Sequence, residues 1–314
     1  MQIHAAVVQD APPAFNAAAS LQLTLDWIAR AAATGAKLVV FPEAFLGGGY
    51  PKGLDFGARV GMRSDEGRRH YQSYFENAVA VPGPETAAIA DAAKTHSIWI
   101  VIGSIERDGG TLYCTALFFS PAGDLRAKHR KLMPTAMERL IWGFGDGSTL
   151  PVLETGRETG FAKLGAVICW ENYMPLLRMA MYGQGIQLYC APTVDDRESW
   201  LPTMRHIAIE GRCFVLSACQ YATRAHYPEF HPSAEGPIIR GGSVIVDPFG
   251  KVLAGPLRDE AGLLTADLDL DQIVQGKYDL DVTGHYARPD VFQLTVDRTD
   301  HAPVKFRDDS PPCD

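Results

Sequence analysis

The sequence predicts a single α/β domain in which mixed β-sheets are covered by helices on their outer faces. Short apolar runs typical of buried strands alternate with segments whose apolar residues recur at helical spacing. Two runs, 98–105 and 111–119, are separated by Asp108-Gly109-Gly110, a hairpin signal, so antiparallel pairs accompany strands joined through helices. Without a Gly/Ser- or Pro-rich linker or an internal repeat, one domain over residues 1–283 is the simpler interpretation, followed by a polar C-terminal arm over 284–314.

The first elements lead to a glutamate at a strand end. Residues 3–8 form an apolar strand, and a helix over 21–32 is closed by Gly35. The next buried strand, 37–41, ends in Pro42-Glu43. A Gly- and aromatic-rich connection over 44–63 follows, far longer than usual, and it predicts a lid or binding loop.

The remaining segments continue the alternation of helices and strands. The run 164–169 is a buried strand that delivers Cys169 to its end, before a helix that starts near Tyr173. Elsewhere the pattern predicts helices over 66–77, 84–94, 173–183 and 200–212, and strands over 125–131, 186–191, 213–219, 241–246, 251–254 and 263–270.

Composition excludes several classes of function. The chain has 29 basic and 37 acidic residues, a net charge of -8, and no basic cluster, which argues against a nucleic-acid partner. The N-terminus lacks the features of a signal peptide, and no apolar run approaches the roughly 18 residues of a membrane helix. We therefore expect a cytoplasmic protein with no nucleic-acid or membrane partner.

The cysteine pattern indicates reduced thiols rather than a disulfide framework, because five of the six lie in or beside apolar runs. No Cys-x-x-Cys pair or His-Glu-x-x-His helix is present, and the nine histidines form no cluster, so no metal site is expected. The cysteines are Cys114, Cys169, Cys190, Cys213, Cys219 and Cys313.

Three residues at the ends of predicted strands could carry chemistry: Glu43, Lys131 and Cys169. Each has an ordinary structural explanation when taken alone. A cysteine after an apolar run is usually a packed core residue, and a strand-end glutamate or lysine is usually solvated. Their combination changes this interpretation.

In order and local context, these three residues resemble the Glu-Lys-Cys triad of the nitrilase (carbon–nitrogen hydrolase) superfamily, and more closely its true nitrilase branch. The resemblance covers nearly the whole chain and combines three motifs with several supporting segments. The motifs are Phe41-Pro42-Glu43, His129-Arg130-Lys131-Leu132-Met133-Pro134-Thr135 and Cys169-Trp170-Glu171-Asn172, and the supporting segments are 138–148, 189–193, 204–217 and 284–292.

The resemblance implies an αββα sandwich and a cofactor-free reaction on a nitrile. Cys169 would attack the nitrile carbon, Glu43 would accept the thiol proton, and Lys131 would stabilise the charge that grows on nitrogen. A thioimidate and then an acyl-enzyme follow. The competing Lys128 is disfavoured because the family order Arg-Lys-Leu-x-Pro-Thr selects Lys131.

Three further site residues are carried over from the family. Glu138, seven residues after Lys131, matches a second glutamate that positions the lysine or the hydrolytic water; the alternative is a surface carboxylate paired with Arg139. Tyr50 and Trp170 would flank the substrate, although both could be packing aromatics.

The expected activity is hydrolysis of an organic nitrile, aromatic or arylaliphatic, to the carboxylic acid and ammonia. The alternatives are a cyanide- or amide-hydrolysing member of the superfamily, or an inactive scaffold, which the intact triad disfavours. The resemblance also implies a homo-oligomer with a dimer as its building unit, in contact through the helix after the cysteine strand and through the C-terminal arm.

Overall fold

A computed structural model describes residues 1–50, 52, 56–227, 235–302 and 304. Within these residues there are seven α-helices, joined by short 3₁₀ turns at 136–140, 147–149, 157–159, 169–173 and 224–226. The helices are α1 (Ala17–Ala33), α2 (Phe56–Gly61), α3 (Asp65–Asn77), α4 (Pro84–His96), α5 (Pro175–Gly183), α6 (Trp200–Gly211) and α7 (Asp271–Asp279).

Most of the strands build two large sheets. The first half of the chain contributes β1 (Gln2–Gln9), β2 (Leu38–Val40), β3 (Val79–Ala80), β4 (Trp99–Asp108), β5 (Thr111–Phe119) and β6 (Leu125–Arg130). The second half contributes β7 (Val152–Glu154), β8 (Lys163–Ala166), β9 (Leu188–Cys190), β10 (Phe214–Ser217), β11 (Tyr221–Thr223), β12 (Pro237–Arg240), β13 (Val244–Val246), β14 (Val252–Ala254) and β15 (Gly262–Asp269).

Both large sheets are mixed, as the sequence predicts. The first has the order β15-β1-β2-β4-β5-β6, with β3 beside β4, and the second has the order β14-β13-β10-β9-β8-β7. Strands β1, β2 and β4 run parallel, whereas β4, β5 and β6 form an antiparallel meander. Strands β11 and β12 form a separate antiparallel pair.

The burial of alternate side chains on a strand shows that the two sheets pack face to face. On β1, Ile3 and Val7 point into the core between the sheets, whereas Ala6 and Val8 point into a second core beneath helices α1 and α4. Side chains alternate between the faces of a strand, so a strand buried on both faces must lie in an inner layer.

A third core lies between the second sheet and helices α5 and α6. Met181 of α5 and Ile207 of α6 pack there against Val215 of β10. The layers therefore run helix, sheet, sheet, helix, which confirms the αββα sandwich that the family resemblance implies.

The helices begin where the sequence supplies capping residues. The Asn16 side chain accepts the amide hydrogen of Ala19 at the start of α1, and Ser64 does the same for Gly67 at the start of α3. Helix α4 begins at Pro84, a residue well suited to the first turn.

Several predicted boundaries were wrong. The connection over 44–63 is not a continuous loop, because it contains α2. The cysteine strand β8 ends at Ala166, and Cys169 opens a 3₁₀ turn. Helix α7 was not anticipated, because its exposed and weakly apolar residues, such as Val274 and Tyr278, give no clear helical stripe.

The buried side chain of Glu171 links the two sheets through hydrogen bonds. Its carboxylate accepts the amide hydrogens of Leu132, after β6, and of Ile168, after β8, at 2.6 and 2.9 Å. It also faces Nε2 of the fully buried His129 at 2.9 Å. His129 Nδ1 donates to the Thr149 carbonyl, so both ring nitrogens are donors and the imidazole is cationic.

Beyond Gly284, the described part of the arm contains no helix or strand. It crosses the surface to the 3₁₀ turn at 147–149, where the His301 amide donates to Asp146 at 3.0 Å. Residues 303 and 305–314 of the predicted arm lie outside the described residues. Over the ranges given above, no helix combines the length and apolarity needed to cross a bilayer.

Replacing Glu171 by glutamine should destabilise the fold strongly. Burial opposes the charge on His129, but the Glu171 carboxylate overrides this and raises the pKa of His129, while the same pair and two amide hydrogens lower the pKa of Glu171. The Glu171→Gln variant loses this buried ion pair and one of the two oxygens that accept the Leu132 and Ile168 amide hydrogens. We therefore expect a loss of about 3–5 kcal/mol, measured by urea unfolding.

The matched control is Glu158→Gln, which removes an exposed carboxylate lying 3.8 Å from Lys37, and it should lose less than about 1 kcal/mol. The difference between the two variants should shrink as pH rises through the raised pKa of His129 or falls through the lowered pKa of Glu171. Equal losses in both variants at neutral pH would contradict the role of Glu171.

Candidate active site

The three strand-end residues meet at one place. Glu43 follows β2, Lys131 follows β6, and Cys169 lies three residues after β8. Lys131 Nζ donates to Glu43 Oε1 at 2.7 Å. The Cys169 thiol lies near the same carboxylate, where it opposes the rise that burial causes in the pKa of Glu43. The two sheets thus contribute to a single cluster.

The nucleophile candidate lies on a strained turn. Cys169 has a φ of 50°, a left-handed conformation that is uncommon for a residue with a side chain. Its amide donates to the Pro192 carbonyl at 2.8 Å, and its sulfur accepts a hydrogen bond from Thr193 Oγ1 at 3.2 Å. Only 3% of the residue is exposed. The turn therefore fixes the thiol at the edge of the core.

Close backbone packing places Glu43. The Gly103 amide donates to the Pro42 carbonyl at 3.1 Å, and a Cβ at Gly103 would lie 2.6 Å from the Cα of Glu43. Only glycine permits this approach without a backbone shift. From the segment between β10 and β11, the Gln220 side chain donates to the Glu43 carbonyl at 2.7 Å.

Lys131 is held between two carboxylates. Its Nζ donates to Glu43 Oε1 and to Glu138 Oε2, both at 2.7 Å, and all three side chains are buried. Glu138 Oε2 also accepts the amide hydrogen of Thr135 at 2.6 Å. Glu138 is therefore an internal residue, and the alternative of a surface carboxylate paired with Arg139 does not describe it, because Arg139 donates to the Pro134 carbonyl instead.

The charges of the cluster reinforce one another. Burial alone would lower the pKa of Lys131, but the Glu43 and Glu138 carboxylates raise it well above its usual range, so the ammonium is retained. Burial raises the pKa of Glu43 despite the opposing charge of Lys131. Glu43 is thus a stronger base than an ordinary glutamate.

Cys169 rests as a thiol. Burial and the neighbouring Glu43 charge raise the pKa of Cys169 well above its ordinary value, although Lys131 opposes this shift. A thiolate is the reactive form of cysteine, so a base must accept the proton as the sulfur attacks. The carboxylate of Glu43 is the adjacent base.

A cavity of about 240 Å³ opens beside Cys169. Both aromatic residues singled out from the sequence line it: the Tyr50 hydroxyl donates to Glu138 Oε1 at 2.9 Å, and Trp170 remains 41% exposed. The other described lining residues are Lys52, Thr135, Glu138, Cys169, Val194, Asp195, Asp196 and Arg197.

The wall behind Trp170 was not anticipated from the sequence. The Trp170 indole donates to Asp195 Oδ2 at 2.9 Å, and the guanidinium of Arg197 lies 4.5 Å from the Trp170 ring centroid. Arg197 also forms an ion pair with Asp195. These contacts fix the angle of the indole. The sequence does not predict these contacts, because Asp195 and Arg197 lie about 25 positions after Trp170 on an irregular segment.

Thr193 lies in the segment 189–193 that supports the family resemblance, but the sequence does not predict a role for it. It follows β9, which pairs in parallel with β8, so both strands end at the same edge of the sheet. That rule places the Thr193 hydroxyl next to Cys169. The competing Lys128 lies elsewhere, in an ion pair with Glu106, which also pairs with Arg130.

A larger hollow of about 480 Å³ lies at the opposite end of β2 and β4. Its described lining includes Lys37, Trp99, Arg126 and Arg157, without a cysteine among the described lining residues. Size alone does not make it the reaction site, and the smaller cavity is the one lined by Cys169 and Glu138.

Comparison with known proteins identifies the family. The family model described as "Carbon-nitrogen hydrolase" matches residues 4–278. The chain is 56% identical to the "Aliphatic nitrilase" of Sinorhizobium fredii, over 98% of this chain and 99% of the relative. It is 54% identical to the "Arylacetonitrilase" of Trametes versicolor, over 94% and 96% respectively, and 50% identical to "Nitrilase 2" of Arabidopsis thaliana, over 97% and 91%.

A solved structure supports the same architecture. A mutant of an amidase from Nesterenkonia AN1, described as a nitrilase-superfamily protein, superposes with a TM-score of 0.65, covering 88% of this chain and 95% of the amidase. At 23% identity this similarity speaks for the fold alone. Matched over most of its length by the family model and by relatives named nitrilases, the chain belongs to the carbon-nitrogen hydrolase family, as a hydrolase of carbon–nitrogen bonds on its nitrilase branch.

Proposed function

We propose that the protein hydrolyses organic nitriles to the carboxylic acid and ammonia. The observation that carries this proposal is the buried Lys131 ammonium, held by Glu43 and Glu138 beside the Cys169 thiol. A nitrile is a weak electrophile without an ionisable group, so its attack needs an activated thiol and a fixed positive charge. Relatives named as aliphatic and arylaceto-nitrilases support this reaction class.

In the first half of the reaction, Glu43 accepts the Cys169 proton as the sulfur bonds to the nitrile carbon. One carbon–nitrogen π pair moves to nitrogen, where the Lys131 ammonium, with the Trp170 amide, stabilises the charge until Glu43 passes the Cys169 proton to nitrogen and becomes a carboxylate again. The product is a thioimidate. Low dielectric strengthens the attraction between Lys131 and the developing anion.

In the second half, water adds to the thioimidate carbon, with Glu43 as base. The tetrahedral intermediate loses ammonia when its carbon–nitrogen bond breaks, which leaves a thioester on Cys169. A second water cleaves the thioester to the carboxylic acid and restores the thiol. Glu138 positions Lys131 throughout and needs no change of protonation.

The proposed substrates are aromatic or arylaliphatic nitriles of small size. The cavity of about 240 Å³ is below the range of about 300–1,000 Å³ that drug-sized ligands occupy. The exposed Trp170 face supplies a stacking surface, and the contacts with Asp195 and Arg197 keep it in place. The alternative is that cyanide or an amide is the preferred substrate, and a substrate panel distinguishes this from a preference for nitriles.

The protein is further proposed to assemble as a homo-oligomer with a dimer as its unit. In support, Leu176 at the start of α5 is 68% exposed, and Phe292 in the C-terminal arm is 78% exposed. Tyr173 and Tyr286 add apolar surface in the same two regions. Analytical ultracentrifugation tests this proposal, and a measured mass equal to that of a single chain would contradict it.

A cytoplasmic location is proposed from the thiols. The five described cysteines are all unpaired and buried, as expected where thiols stay reduced. Fractionation of the host cell tests this directly.

Replacing Cys169 by alanine should abolish ammonia release from nitriles. The panel contains phenylacetonitrile, benzonitrile, a dinitrile, cyanide and phenylacetamide. The matched control is Cys190→Ala, which makes the same change at a buried thiol of β9 and should retain activity. Turnover of phenylacetamide alone would replace the nitrilase proposal, and activity that survives in Cys169→Ala would remove Cys169 as nucleophile.

The pH profile of kcat/KM should fall only on the acid side of neutrality. Glu43 must be ionised to accept the thiol proton and its pKa is raised, so activity should decline as pH falls through a value above the ordinary glutamate pKa of about 4.3. The raised pKa of Lys131 predicts no loss below about pH 10 from its deprotonation. The assignment of Glu43 as base and Lys131 as a permanent cation would be contradicted if kcat/KM fell between pH 7 and 9. This holds for enzyme that regains full activity when returned to neutral pH.

Trp170→Ala should reduce the preference for aromatic substrates. Loss of stacking on the indole face should weaken transition-state stabilisation for phenylacetonitrile by about 0.5–1.5 kcal/mol. This corresponds to a kcat/KM lower by about two- to twelvefold. Butyronitrile, which has no ring, should change by less than about twofold. An equal decrease for both nitriles would show that Trp170 supports the site without selecting the substrate.

A further inference from the structure

The two oxygens of the Glu43 carboxylate have different surroundings. Oε1 accepts hydrogen bonds from Lys131 Nζ at 2.7 Å and from the Cys114 thiol at 3.5 Å. Oε2 is buried and has no hydrogen-bond partner among the described residues. When one carboxylate oxygen is held by hydrogen bonds, the other oxygen is available to accept a proton. The neighbouring proton donor here is Cys169.

Cys114 is placed to hold that carboxylate. It lies on β5, between β4 and β6, and its carbonyl accepts the Lys131 amide hydrogen at 2.8 Å. It is 1% exposed and is absent from the described lining of the cavity, so it does not face the substrate. One residue therefore contacts Lys131 through its backbone and Glu43 through its side chain.

The Cys114 thiol keeps its proton. Burial and the Glu43 charge raise the pKa of Cys114 well above the ordinary range, so the sulfur remains a donor wherever the enzyme is folded. A sulfhydryl is a weak donor, but a hydrogen bond to an ionised acceptor is stronger than a neutral one. The site thus contains two thiols in contact with one carboxylate.

We propose that Cys114 is a positioning residue whose S–H donates to Glu43 Oε1, orients the carboxylate, and leaves Oε2 as the atom that accepts the Cys169 proton. During attack, the Cys169 proton moves to Oε2 and the new carbon–sulfur bond takes the sulfur electron pair. Cys114 loses no proton and forms no bond to the substrate. The catalytic consequence of this orientation rests on the proposed nitrilase reaction.

Loss of the Cys114 donor should alter the titration of Glu43. The charged or titratable groups around Glu43 are Lys131, Glu138, Cys169, Cys114 and, more distantly, Tyr50. A hydrogen bond from Cys114 favours the ionised carboxylate, so its removal should raise the pKa of Glu43. The other groups remain in each variant described below.

The experiment compares Cys114→Ala, Cys114→Ser and the control Cys190→Ala. Cys190 is also fully buried on an inner strand, and burial is the single cause of its raised pKa. For each variant, kcat, KM and the acid limb of kcat/KM are measured with phenylacetonitrile. The pH dependence of Cys169 alkylation by iodoacetamide, followed by mass spectrometry, gives a second measurement without any nitrile.

We expect Cys114→Ala to lower kcat about three- to tenfold, with KM changed by less than about twofold, and to shift the acid limb upward by about half a pH unit. Cys114→Ser retains a donor and should restore both toward wild type. Cys190→Ala should leave the limb in place. If Cys114→Ala resembles Cys190→Ala in both pH profiles, or if Cys114→Ser shifts the limb as far as alanine does, the proposal is overturned.

The alkylation measurement separates this proposal from the proposed function. An upward shift of the alkylation limb in Cys114→Ala alone supports the positioning role even if the wild-type protein releases no ammonia from nitriles. Nitrile turnover in the wild type with an unshifted alkylation limb in Cys114→Ala retains the nitrilase and rejects the role of Cys114. Thermal unfolding shows that each variant compared is folded.

Discussion

The buried ammonium of Lys131 is the interaction on which the rest of the site depends. An unpaired cation in a protein interior is strongly unfavourable. Glu43 and Glu138 offset that penalty at 2.7 Å each. The same charges raise the pKa of Lys131, so its positive charge is retained in the interior.

That arrangement requires the packing of the whole sandwich, because its members come from separate elements. Gly103 allows the Glu43 turn to lie against β4, and Glu171 ties the segment after β6 to the turn that carries Cys169. The left-handed conformation of Cys169 is maintained by contacts with Pro192 and Thr193. Rigidity of this kind is what electrostatic catalysis needs, since the charges must be in place before the reaction begins.

The charged cluster and the cavity beside it are built by different parts of the fold. The charged cluster lies on strand ends in the core, where few substitutions can be accommodated. The cavity beside it is bordered by irregular segments, with Trp170 held by Asp195 and Arg197. Changes in those segments could alter substrate size without disturbing the cluster. This division is consistent with relatives of similar identity whose names refer to aliphatic and to arylacetic nitriles.

The sequence by itself predicted mixed sheets covered by helices, because strand and helix periodicity are local properties. The contiguous motifs around Glu43, Lys131 and Cys169 gave the family resemblance, which implied the αββα sandwich and these three site residues. The sequence could not assign the boundaries around α2 and α7, where local signals are weak. Tertiary structure alone decided that Glu138 is internal, that Thr193 contacts the Cys169 sulfur, and that Cys114 reaches Glu43 Oε1. The physical reason is that each of these contacts joins residues from different elements, and their distances and burial are set only when the two sheets pack together.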